Sequence, residues 1–145
     1  MSSGIITFRS DRFDTSPLED GLDPEQHPYG RDLARYLLER LRSLPGITEV
    51  SSDVGQEHDQ WDFDLTASGK RYTVAAHITA EDTPQTLWAV QIYERVGFLQ
   101  RLIRGQEAFY EVDDVLVGTV SSMLQETEGV TEVQQLSSEQ FRKVY

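Results

Sequence analysis

The chain has 145 residues, 25 acidic against 13 basic, a formal charge of −12 and no cysteine. That length suits one domain that buries a core without a staple, and the missing thiols exclude disulfides, thiolate metal sites and cysteine nucleophiles. The acidity opposes binding to nucleic acid, whose phosphates it repels, and favours a cationic partner.

The N-terminal residues MSSGIITFRSDRF hold no apolar stretch long enough for a signal peptide, and no later run is long enough to span a bilayer. A cytoplasmic protein without membrane attachment is the expectation.

Ile5-Ile6-Thr7-Phe8 reads as a first strand. Residues 9–28 then carry Asp11, Asp14, Glu19, Asp20, Asp23 and Glu25 with three prolines and few apolar residues, which predicts a loose acidic arm. From Tyr29 to Leu44 the spacing of Leu33, Leu37, Leu41 and Leu44 predicts an amphipathic helix, with Ala34, Tyr36 and Leu38 widening its apolar face. Pro45-Gly46 ends it.

The middle of the chain alternates with period two. Trp61, Phe63 and Leu65 alternate with Asp62, Asp64 and Thr66. Ser68-Gly69-Lys70 supplies a tight turn. Tyr72, Val74, Ala76 and Ile78 alternate with Thr73, Ala75, His77 and Thr79, and after a polar loop Trp88, Val90 and Ile92 alternate with Ala89, Gln91 and Tyr93. This pattern predicts an antiparallel meander with one buried face. Gly97 to Gly105 reads as a short amphipathic helix with Phe98, Leu99, Leu102 and Ile103 opposed to Arg101 and Arg104. Asp113 to Thr127 reads as a second long helix, although Val115 to Val120 is also β-prone. A strand at 130–136 follows. Ser137 and Gln140 then form the spacing of a capping box, with Leu136 placed to staple onto Phe141.

One internal similarity organises these elements. RDLARYLLERLRSLPGITEV at 31–50 aligns with DVLVGTVSSMLQETEGVTEV at 114–133, so that Leu33, Leu37 and Leu41 fall on Leu116, Val120 and Leu124. Each copy is a helix that stops at a Gly and re-emerges as a short strand. The expected fold is therefore α+β: a single domain over 1–145, a two-layer sandwich of a mainly antiparallel sheet with both long helices on one face, in the order (β)αββββαβ. The G-[IV]-x-x-V ending resembles the helix-to-strand junction of small ferredoxin-like domains such as heavy-metal-associated and ACT domains. That resemblance implies an elaborated ferredoxin-like plan. The Cys-x-x-Cys metal loop of the first family is absent, so no metal or other cofactor is expected.

No segment carries a phosphate loop, a serine elbow or a His-x-x-x-His helix. If Trp61, Phe63 and Leu65 face the helices, then Asp62, Asp64, His77, Gln91 and Tyr93 share the second face of the sheet. Carboxylates with an imidazole are capable of acid–base work or ion binding, and a small enzyme or ligand binder using His77, Asp62 and Asp64 is one reading. A polar, solvated face of a half-buried sheet accounts for the same residues. The favoured reading is a non-catalytic module that binds a basic protein. Bacterial immunity proteins and antitoxins are similar in being small, acidic and without a catalytic site. The acid-rich stretch 53–64 is the expected contact surface, with Asp59, Trp61, Asp62, Asp64, His77 and Tyr93 as partner-binding residues. Phe98, Arg101 and Arg104 form a second, greasy and cationic candidate anchor.

Overall fold

The computed structural model describes residues 2–13, 30–57, 60–80, 86–95, 111–137 and 139–141. Among these, the order is β1 (Ser2–Ser3), β2 (Ile5–Ser10), α1 (Arg31–Arg42), β3 (Ile47–Thr48), β4 (Gly55–Glu57), β5 (Gln60–Ala67), β6 (Lys70–Ala80), β7 (Leu87–Glu94), β8 (Glu111–Val112), α2 (Asp114–Glu126) and β9 (Val130–Leu136). The expected helix at 97–105, with Phe98, Arg101 and Arg104, lies outside the described residues, as do His58 and Asp59. Among the described residues no helix is long and apolar enough to cross a membrane.

The main sheet has seven strands, ordered β3-β5-β6-β7-β2-β9 with β4 also paired to β5, and every pairing is antiparallel. The alternating segments form the meander β5-β6-β7, in which Trp61 pairs with Ala76, Phe63 with Val74 and Leu65 with Tyr72. Three short strands, β1, β4 and β8, were not expected; none is longer than three residues, too short for period two to register.

The two aligned segments end in the same way. In α1, the Leu44 N–H bonds to the Leu41 carbonyl at 3.1 Å; in α2, the Thr127 N–H bonds to the Leu124 carbonyl at 3.2 Å. Gly46 and Gly129 then take φ of 84° and 87°, left-handed values that glycine adopts without a Cβ clash. Three residues later Glu49 and Glu132 sit at φ of 50° and 54°. The sequence similarity is thus a shared backbone path. Its two strands differ in length: β3 has two residues and β9 has seven, and they form opposite edges of the sheet. In β9, the register against β2 slips between Thr7 and Arg9. Two β9 residues, Glu132 and Val133, face the one β2 residue Phe8, so Glu132 is accommodated in a bulge.

Alternation decides which side chains form the core. Ile6, Phe8, Trp61, Phe63, Leu65, Tyr72, Val74, Ala76, Trp88, Val90 and Ile92 join Leu33, Leu37 and Leu41 of α1 and Leu116, Val120 and Leu124 of α2 in one buried cluster. Both helices therefore pack on the same side of the sheet. They also meet each other: Tyr36 Oη lies 2.8 Å from Thr127 Oγ1. The β-prone run at 115–120 is helical because its Leu116, Val117 and Val120 fall on the buried side, where packing outweighs propensity.

The first residues of the segment read as an acidic arm, 9–13, belong to the described fold. Arg9 and Ser10 belong to β2, and Phe13 is buried among Phe8, Tyr36 and Trp88, with ring centroids 5.9–6.2 Å apart. The buried Trp88 indole N–H donates to the Ser10 carbonyl at 3.1 Å. The remainder of the arm, 14–28, lies outside the described residues.

Candidate functional site

The second face of the sheet carries the polar half of each alternating strand, and its rows follow from the register. Asp64 pairs with Thr73, which pairs with Tyr93; Asp62 pairs with Ala75, Gln91 and then Ile5; His77 pairs with Ala89 and then Thr7. The polar alternation predicts an open face, but this face is not uniformly open. Thr7, Thr73, Ala75 and Ala89 are buried. They are short side chains, and the C-terminal turn meets this face at His77. The expected capping box forms there: the Gln140 N–H donates to Ser137 Oγ at 3.1 Å, and the Ser137 N–H donates to Gln140 Oε1 at 2.8 Å. Phe141, one residue on, stands edge-on against the His77 ring with centroids 6.3 Å apart. His77 Nε2 also lies 3.2 Å from Gln91 Nε2.

At the other end of this face the sheet opens into a polar cavity of about 380 Å³. Its walls include Asp53, Asp62, Asp64, Thr73, Tyr93, Glu94 and Arg95. Asp62, Asp64, Tyr93 and Arg95 share the second-face side of this hollow, whereas Glu94 pairs with core-facing Tyr72. Asp64 is the hollow's best-anchored member. Its backbone is tied to Ser51, whose N–H donates to the Asp64 carbonyl at 3.0 Å and whose Oγ accepts from the Asp64 N–H at 2.9 Å. Asp64 Oδ1 accepts from the Thr73 hydroxyl at 2.7 Å, and Oδ2 accepts from Arg95 Nη1 at 2.6 Å. Arg71 approaches the same oxygen at 3.9 Å and bridges to Glu49. Asp64 raises the Arg95 pKa through the hydrogen bond and through its charge, with smaller contributions from Tyr93 and Asp62.

Asp53, on the rim, is held by Arg35 of α1 through two hydrogen bonds of 3.1 and 3.2 Å. That pairing, with the Val54 N–H, holds the Asp53 carboxyl below the usual carboxylate range.

The structure therefore separates the residues that the sequence grouped. Asp62, Asp64 and Tyr93 share the cavity, while His77 lies outside its walls and packs with Gln91 and Phe141. Trp61 is on the helix side, 9% exposed, beneath the Arg31 guanidinium at 5.3 Å. Asp53 lies in the acid-rich stretch 53–64 and Thr73 on the polar side of the alternation, though neither was named as a site residue; Glu94 and Arg95 were not singled out. Arg95 was within reach of the alternation rule: Gln91, Tyr93 and Arg95 continue one side of β7. Among the described residues, no three His, Asp or Glu side chains are arranged to hold a metal ion. Comparison with known proteins finds no relative: no family profile, no curated protein and no solved structure matches the chain.

Proposed function

We propose that the protein is a non-catalytic acidic binding module that captures a basic partner protein, in the manner of small bacterial immunity proteins and antitoxins, and that it works in the cytoplasm. The observation that carries this reading is the cavity of about 380 Å³, lined by Asp53, Asp62 and Asp64 together with Arg95. In a protein of formal charge −12, such a hollow concentrates negative potential at one place. Asp59 belongs to the same acidic stretch of sequence and is assigned to the contact surface with Tyr93. The order β6-β7-β2-β9 within the sheet supports an elaborated ferredoxin-like plan extended by β5 and its partners. That plan leaves the second face for ligands, an argument from fold alone.

The reading of an enzyme or ligand binder built on His77 with Asp62 and Asp64 has less support, because the imidazole is engaged away from the cavity. The discriminating experiment is kinetic. A partner found by pull-down should associate more slowly as salt rises, since steering between exposed charges is screened over about 8 Å at physiological ionic strength. Replacing Asp59, Asp62 and Asp64 by Asn should slow association more than it speeds dissociation. Salt-independent association, or a triple variant that associates at the native rate, refutes the proposal.

A further inference from the structure

We draw no further inference here: the strongest candidate, the side-chain cluster at the N-terminus of α1, where the Arg31 guanidinium lies 5.3 Å over the Trp61 ring and its buried Nε bonds no acceptor, carries nothing because Arg31 as a whole is only partly buried and nothing in the structure shows what would bind it.

Discussion

Tyr36 and Thr127 join the two helices, and the direction of the hydrogen bonds between them can be assigned. Thr127 Oγ1 donates to the Met123 carbonyl at 2.6 Å, which uses its only proton. The 2.8 Å contact with Tyr36 Oη must then be a donation from tyrosine to threonine. Arg40 Nη1 in turn donates to Tyr36 Oη at 3.1 Å. A single chain of donors thus runs from Arg40 through Tyr36 and Thr127 to the backbone of α2. Tyr36→Phe removes the central link, and Thr127→Val removes the acceptor together with the cap on Met123. At about 0.5–1.5 kcal/mol per net hydrogen bond, each variant should lose roughly 1–2 kcal/mol. Because both remove the same contact, the double variant should lose less than the sum, with a coupling of about 0.5–1.5 kcal/mol. Urea denaturation of the four proteins, fitted with a common slope, measures this cycle. Coupling below about 0.3 kcal/mol, the level found for independent sites, would mean that the helices do not meet at this point. The placement of both on one side of the sheet would then lose its direct support.

Further outcomes follow from single side chains. Leu37 is fully buried, and Leu37→Ala should cost about 2–5 kcal/mol, read from the denaturation midpoint. Gly118 lies mid-helix in α2 with open space where a Cβ would go, so Gly118→Ala should stabilise by about 0.5–1 kcal/mol. Gly4→Ala should do the opposite, because its Cβ would fall on the Ile92 carbonyl oxygen and displace the backbone contact that ties the start of β2 to β7. Asp113 caps α2, and hydrogen bonds from the Ser68 side chain and the Val115 N–H hold its carboxyl below the usual range. A lowered folded pKa contributes stability that is present above the unfolded value of 3.8 and is lost as pH falls through the folded one. Asp113→Ala should therefore be less stable than the native protein near neutral pH, and the difference should close in acid; a pH-independent difference would remove the carboxylate from the account.

The architecture was legible where periodicity and punctuation agreed. Three alternating runs gave β5, β6 and β7 with their buried faces, and the leucines of 33–41 gave α1. The second helix depended on the alignment with the first, since Val115, Val117 and Val120 suit a strand equally well. The structure adds what that alignment could not: the shared left-handed glycines and the shared positive φ at Glu49 and Glu132. Equal backbone paths did not produce equal strands. Beyond Glu49 regular pairing breaks off, with Ser51 tied to Asp64 before β4 rejoins β5, whereas beyond Glu132 the chain continues along β2 to Leu136. That difference lies in the neighbours each copy meets, and no reading of the copies alone contains it.

The site was half legible for a related reason. Alternation assigns side chains to a face but carries no information on where that face is closed. Thr7, Ala75 and Ala89 on the second face are buried, and Phe141 of the C-terminal turn stands against His77. That removes the imidazole from the acids with which the sequence grouped it. The acids that remain are Asp62 and Asp64, where the neighbouring positions are the long polar side chains Tyr93 and Arg95. The two ends of the polar face therefore differ in their neighbours: Asp64 Oδ2 meets Arg95 at 2.6 Å and Arg71 at 3.9 Å, whereas His77 meets Gln91 and Phe141.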